Sequence, residues 1–388
     1  MLVLAIIFWL SVFLIFHTYL FYPLILKALS GNKKDNTIRY TREDDLPVVS
    51  VIISAFNEEE VIAEKIESIF AGDYPDDRLE VLIGSDHSVD RTAEIINSYL
   101  PGHPNLIFHD FKERRGKQNV VNDLVLESKG SILILTDANV MFDTSTVFNV
   151  VRHFKNQEIG LVDTNMINKG LKKEGISYQE KAYISREVQI KNMESRLWGA
   201  MMGPFGGCYA IRKEDYAKVP PNYLVDDFYI NMKIFEKRKK AINDLEARVF
   251  EDVPNILRDE FRRKVRIATG NWQNLKTFSH LLFRKHIGFC FLSHKVLRWK
   301  GPFFIIAALL TSAILAISSE YYLLMLAIQL GLLMLPVLDG ILKKINVHNK
   351  LLRLVTHFYA MNLALFIGFF RSMKTIQSGV WDRTPRNQ

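Results

Sequence analysis

The 388-residue sequence has only two cysteines, Cys208 and Cys290, and no CxxC pair. That excludes a disulfide framework and a zinc or thiol-redox site, and it suits a reducing, cytosol-facing location. No GxGxxG opens a helix after the first candidate strand, and Gly116-Lys117 lacks the upstream glycine of a P-loop. Dinucleotide and P-loop folds are therefore disfavoured. Repeats and low-complexity stretches are missing as well. Asp, Glu, Lys and Arg are all absent from Met1 to Leu26, the first cation being Lys27. What is present is basic: 50 Lys plus Arg against 42 Asp plus Glu, a net charge of +8. With 48% apolar and 24% charged residues the chain reads as globular, with room for two or three domains. A mean hydropathy of +0.04 is high for such a chain, so its apolar residues must be concentrated.

They gather at the two ends. Residues 1–27 are long enough to cross a roughly 30 Å hydrocarbon core as one helix. The segment lacks the charged start and small-residue cleavage site of a signal peptide, which predicts an uncleaved anchor. Phe303 to Ser318 and Tyr321 to Leu338, split by Ser319-Glu320, predict a helical hairpin within a transmembrane region at 301–372. A shorter run from Leu354 to Phe370 ends it. Residues 261–300 mix Leu281, Phe283, Phe289 and Phe291 with Arg284, Lys295, Arg298 and Lys300, a composition suited to interfacial helices. Lys27, Lys33, Lys34 and Arg39 follow the first span, and Arg298 and Lys300 precede the second. The positive-inside rule then puts the middle of the chain in the cytoplasm of a plasma (inner) membrane protein. A full crossing by Leu354 to Phe370 would leave the basic tail, 373–388, outside, against the rule.

Residues 46–260 alternate short β-branched runs with helical ones. Val48 to Ile53, Glu80 to Ile83, Leu106 to Phe108 and Ser131 to Leu135 read as strands. The intervening segments near 59–70, 92–99 and 116–127 read as helices. This is an α/β pattern with a mainly parallel sheet covered on both faces, whose ligands bind beyond the carboxyl ends of the strands. Acidic or amide clusters follow those ends: Ala55 to Glu58, Asp86 to Asp90, and Asp137 to Asn139, with Asp226-Asp227 opening a later helix. Singly, Asn57 or Asp90 fits a helix N-cap and an Asp after a strand fits a turn. Four such clusters at one sheet edge repel one another unless a cation or donor neutralises them.

On these residues the chain resembles the family 2 glycosyltransferases of GT-A fold. Ala55-Phe-Asn-Glu58, Asp86 to Asp90, the Asp137-Ala-Asn139 variant of a DxD motif, and Asp226-Asp227 carry the resemblance. So do Gly116-Lys117 with Asn122, similar to a GKxxALN element, and the glycine-rich strand from Gly206-Gly207 to Arg212. The membrane flanks resemble the branch that includes cellulose, hyaluronan and poly-N-acetylglucosamine synthases. The resemblance implies an inverting transfer from a cytoplasmic nucleotide-sugar, a UDP-sugar, to a glycan or lipid acceptor at the membrane. It implies Asp227 as general base, with Ala55, Asn57, Glu58, Asp86, Lys117, Asp137 and Arg266 on the donor. Gly207, Asp226 and Trp272 fall on the acceptor side. A divalent metal, Mg2+ or Mn2+, would sit on Asp137 and Asn139, because a hard cation with oxygen ligands stabilises a diphosphate leaving group.

One departure bears on the product. Processive members carry QxxRW, where this chain has Arg263 to Ile267: Arg266 is kept, Arg replaces Gln and Ile replaces Trp. Loss of the aromatic puts processive synthesis in doubt, Trp272 being the nearest substitute. The tail Trp381 to Arg386 resembles a cytoplasmic WxxTxR element. A membrane transporter fits poorly, since the spans are almost uncharged. Nucleic acid is not an expected partner, because basic residues beside spans are explained by topology and lipid.

Overall fold

The structure, a computed structural model, describes the chain except residues 32, 34–35, 170–176, 253–256, 346, 348 and 375–388. The tail motif Trp381 to Arg386, like Lys34, lies outside the described residues.

Among the described residues, eight strands form one sheet: β1 Val49–Ala55, β2 Leu79–Asp86, β3 Leu106–Phe111, β4 Ile132–Asp137, β5 Met141–Phe142, β6 Ile159–Lys169, β7 Cys208–Arg212 and β8 Lys240–Asp252. Their order is β3-β2-β1-β4-β7-β6-β8-β5. The half read from the sequence, β3-β2-β1-β4, is parallel. Antiparallel β7 joins β4 to β6, and β6 pairs in parallel with β8, so the whole sheet is mixed. Alternation splits β1 between two cores. Val49, Val51 and Ile53 pack with Ile62 and Ile66 on one face, while Ile52 packs with Leu82, Val120 and Leu124 on the other. Both faces are covered, which is why β1 and β2 read as near-continuous apolar runs.

The register places the chemistry. Ser54 pairs with Gly84 of β2 and with Asp137 of β4, so the ends of three parallel strands lie level and their loops open on one edge. The helices Thr92–Tyr99 and Lys117–Glu127 begin within a residue of expectation. The first helix begins later, at Ile62 rather than near Glu59, because Asp90 and Glu59 tie residues 57–59 into the loop after β2.

Among the described residues, three helices are long and apolar enough to cross a membrane: Leu2–Ser30, Glu320–Lys344 and Lys350–Ser372. Lys285–Trp299 and Gly301–Ala316, bent by 60°, would together make a fourth span. The hairpin expected from the sequence is formed by Gly301–Ala316 and Glu320–Lys344, linked where Gln329 donates to Ser312 at 2.9 Å. Residue 260, the expected end of the catalytic domain, falls inside the helix Leu257–Phe278. Much of the apolar surface of the stretch that follows is turned inward. Leu281, Phe291 and Trp299 share a core with Phe228, whose ring centroid is 5.9 Å from Phe291 and 5.5 Å from Trp299. The N-terminal helix docks on the same stretch, with His17 Nε2 2.9 Å from Ser293 Oγ and Thr18 donating to the Ser293 carbonyl.

Candidate active site

A cavity of about 970 Å³ opens at the strand-end edge and runs toward the membrane helices. Glu58, Asp86, Lys117, Asp137, Asn139, Gly207, Asp226, Asp227 and Arg266 all line it. Eight separate sequence positions spread from 58 to 266 thus meet with Asn139 at one place, as the strand-end argument requires.

Each is held by local geometry. Asp86 accepts from the Arg115 amide at 2.6 Å and the Gly116 amide at 2.9 Å, which fixes the start of the Lys117–Glu127 helix. Gly116 takes φ 83°, a conformation costly for a side chain bearing a Cβ. Lys117 Nζ then reaches Asp137 Oδ1 at 2.6 Å and stands 4.0 Å from Asp226 Oδ2. Burial opposes its charge, but Asp137, Asp226 and Asp227 outweigh burial and hold the lysine protonated. The Asp137 amide donates to the Gly207 carbonyl at 2.9 Å, and the Thr136 hydroxyl donates to the same oxygen. Strand β7 is therefore stitched to the Asp137 turn.

Asp226 and Asp227 open the helix Asp226–Glu236, where the aligned peptide dipoles favour negative charge. The Phe228 amide donates to Asp227 Oδ1 at 2.7 Å. Burial, then the neighbouring Asp226 charge, push the Asp227 carboxyl up to about 7, against the pull of the Phe228 amide, Lys117 and Lys191. Gly206 makes room for it: a Cβ there would lie 2.8 Å from Asp227 Oδ2. Arg266 closes the other wall within electrostatic reach of Asp226, Asp137 and Asp227.

Three predicted site residues do not reach the cavity. Ala55 is buried in the sheet, and its neighbours Ser54 and Phe56 line the site instead. Asn57, at φ 54°, accepts from the Val89 amide at 2.9 Å, so its side chain holds two loops together rather than facing a ligand. Trp272 packs between Phe369 (4.9 Å) and Phe303 (6.3 Å), away from the cavity. The reason is helical: five residues past Ile267 is a rotation of about 140°, so Trp272 faces the C-terminal helices while Ile267 lines the cavity. Asp90 is a cap, accepting from Thr92 and Glu59 amides.

The metal expectation can be tested on the donor set. Asn139 Nδ2 donates to Glu251 at 3.0 Å, and Asn139 Oδ1 is buried with no hydrogen-bond partner among the described residues. Asp137 and that oxygen suit a hard cation. No group of three or more His, Cys, Asp or Glu among the described residues could hold one unaided. Asp137 and Asn139 fit two positions around such a cation and leave the others to ligands from outside the described residues.

Several contributors escaped sequence reading. Glu251 and Asp252 end β8 at the cavity, and an acidic pair directly after Val249-Phe250 was the available signal. Lys191 bonds Asp163 at 2.6 Å and stacks over Phe205, whose amide Asp163 also accepts, which sets the Gly203 to Gly207 loop. Fully buried Lys65 donates to Thr136 and to the Val140 carbonyl beneath the Asp137 turn. Mid-helix lysines carry no such signal in sequence.

The mixed sheet, its acidic strand-end loops and the helix that opens on two aspartates have the GT-A glycosyltransferase fold. Residues 50–219 match glycosyl transferase family 2, so this stretch of the chain carries a family 2 glycosyltransferase domain. It is 25% identical over 242 residues to the probable glycosyltransferase YdaM of Bacillus subtilis, covering 58% of this chain and 56% of that protein. To a poly-beta-1,6-N-acetyl-D-glucosamine synthase of Staphylococcus epidermidis it is 24% identical over 288 residues, 68% of this chain and 69% of that one. The chain thus spans little more than half of the first relative. Among solved structures, a mannosyltransferase from Pyrobaculum calidifontis, in complex with GDP-Man and Mn2+, superposes with a TM-score of 0.72 at 22% identity. That match covers 95% of this chain and 99% of the other, and it bears on the fold alone.

Proposed function

We propose that the chain is an inverting, metal-dependent transferase that moves a sugar from a cytoplasmic nucleotide-sugar, a UDP-sugar, to a glycan or lipid acceptor at the membrane. One observation carries this: Asp227, its carboxyl raised to about 7, faces the same cavity as the Lys117–Asp137 pair. In an in-line displacement the acceptor oxygen bonds to the anomeric carbon while the bond to the diphosphate breaks, and the diphosphate leaves with the electron pair. Asp227 takes the acceptor proton, and a pKa near the working pH suits that task. Lys117 and Arg266 offset charge on the departing diphosphate. A divalent metal held by Asp137 and Asn139 would supply further neutralisation there. The Staphylococcus relative bears the name of a polysaccharide synthase, yet Ile267 at the cavity wall in place of the family's tryptophan favours a single addition.

The membrane arrangement has a matching reading. A Cβ on Gly368 would collide with Ala268, so Lys350–Ser372 packs tightly along Leu257–Phe278, the helix bearing Arg266. We take this last helix to lie in the interface rather than cross. Three spans then remain, and the catalytic domain and basic tail both stay cytoplasmic, in accord with the positive-inside rule.

The test is product analysis from the purified full chain with a panel of UDP-sugars and GDP-mannose. A single addition from a UDP-sugar, lost in Asp227→Asn, is expected. A long polymer would refute single transfer, and turnover of GDP-mannose alone would refute the UDP assignment.

A further inference from the structure

Beyond Asp227 the cavity continues to a second polar cluster that the transfer chemistry leaves unused. Arg298 Nη1 donates to Glu187 Oε2 at 2.8 Å, Lys295 bonds Glu187 Oε1, and His294 Nε2 lies 2.7 Å from that oxygen. Arg186 lines the same stretch and donates to the Tyr19 carbonyl. The nearby Glu194 is already engaged by Tyr22, His294 and the Met202 amide. Lys295 and Arg298 therefore share Glu187, and Arg186 stands within electrostatic reach of both Arg298 and that carboxylate. Arg298 Nε is buried with no hydrogen-bond partner among the described residues. Burial and then the like charge of Arg298 pull the Arg186 pKa down. Cations gathered this closely at a cavity wall favour an anion beside them.

Next to the cations the walls turn apolar. Ile15 and Phe16 come from one candidate membrane helix, and Leu354 and Phe358 from another. The cluster is also near the base: Trp299, adjacent to Arg298, packs edge-on at 5.5 Å against Phe228, adjacent to Asp227. A guanidinium fork matches phosphate oxygens, and an apolar cleft between helices suits a hydrocarbon chain.

We propose that this end of the cavity receives the phosphate of a lipid-linked acceptor at Arg186, Lys295 and Arg298, with its chain between the two helices and its reacting hydroxyl at Asp227. This rests on the transfer reaction proposed above.

The test uses the full chain in detergent micelles with saturating UDP, so that the donor site is filled. Binding of farnesyl phosphate is compared with farnesol, inorganic phosphate and phosphatidylglycerol. Farnesyl phosphate should bind about tenfold or more tighter than each of the others, since a charge-assisted contact is at stake. Arg186→Gln should lose about tenfold of that binding with an unchanged thermal midpoint, and Arg186→Lys should keep most of it. Equal binding of farnesol would reduce the site to an apolar groove and overturn the proposal. Equal competition by phosphatidylglycerol would make it a general anionic-lipid contact, and equal binding of inorganic phosphate would remove the lipid; either overturns it. Nucleotide-sugar turnover is read separately. Turnover without phosphate-dependent lipid binding overturns this site and leaves the transfer reaction standing, whereas binding without turnover supports the site and sinks the reaction.

Discussion

Replacing Asp226 with Asn should move the acidic limb of the turnover profile downward, because its charge is one of the two causes that raise Asp227. Burial and Asp226 together hold the Asp227 carboxyl at about 7 instead of 3.8. A base must be ionised, so turnover of the wild-type chain should fall about tenfold per pH unit below that value. At pH 6 only about a tenth of the molecules would be competent; lowering the pKa by about one unit brings that to about half. The same ionisation acts on stability with the opposite sign. Between pH 4 and 7 the folded chain keeps a proton that the unfolded chain has lost, so stability falls as pH rises through this window. A shift from 3.8 to about 7 corresponds to about 4 kcal/mol at the limit, and the open cavity beside the carboxyl reduces it to about 2 kcal/mol. Asp227→Asn should thus be inactive and yet melt higher than wild type at pH 8. The assay is nucleotide release from pH 5.5 to 8.5, with thermal midpoints at pH 6 and 8. An acidic limb near pH 4, or wild-type-like turnover in Asp227→Asn, would refute the assignment of the base.

Asp137→Ala should lower turnover by about a hundredfold or more and weaken diphosphate-dependent Mn2+ binding, read by electron paramagnetic resonance; unchanged binding counts against the metal site. In Gly206→Ala the new Cβ would stand 2.8 Å from Asp227 Oδ2, so the base is displaced. A loss of about tenfold to a hundredfold in turnover with little change in thermal midpoint is expected, and normal turnover would show that Asp227 moves freely. Burial lowers Lys65 to about 7, so from there to its ordinary value of 10.5 the unfolded chain binds the extra proton and stability rises with pH. Lys65→Met should flatten that rise; an unchanged pH dependence of the melting curve would contradict it.

The residues that were legible in sequence are those whose role is local. Strands β1, β2 and β4 announce themselves as apolar runs because both faces of the sheet are covered. Asp86 and Asp137 stand out because a charged residue at the end of such a run has few structural uses. The Asp226-Asp227 pair and Arg266 were legible through the family pattern, and each lines the cavity. Asn57 lies off the cavity on the Val89 amide, and an Asn in a left-handed turn looks the same in sequence whether it faces a ligand or a neighbouring amide. Trp272 lies off the cavity against Phe369 and Phe303, because its face on the helix depends on how that helix docks, which spacing alone does not state.

By itself, then, the sequence determined the class of chemistry, the strand ends that bear it and the apolar ends of the chain, since hydrophobic period and turn residues act over a few positions. Only the tertiary structure decided which carboxylates meet. Glu251 reaches Asn139 across 112 positions, and Lys65 buttresses the Asp137 turn from a helix with no marking motif. Only the tertiary structure, too, brought Lys295 and Arg298 onto Glu187 at the membrane end of the catalytic cavity. Such pairings arise from long-range packing, and packing leaves no local trace in the order of residues.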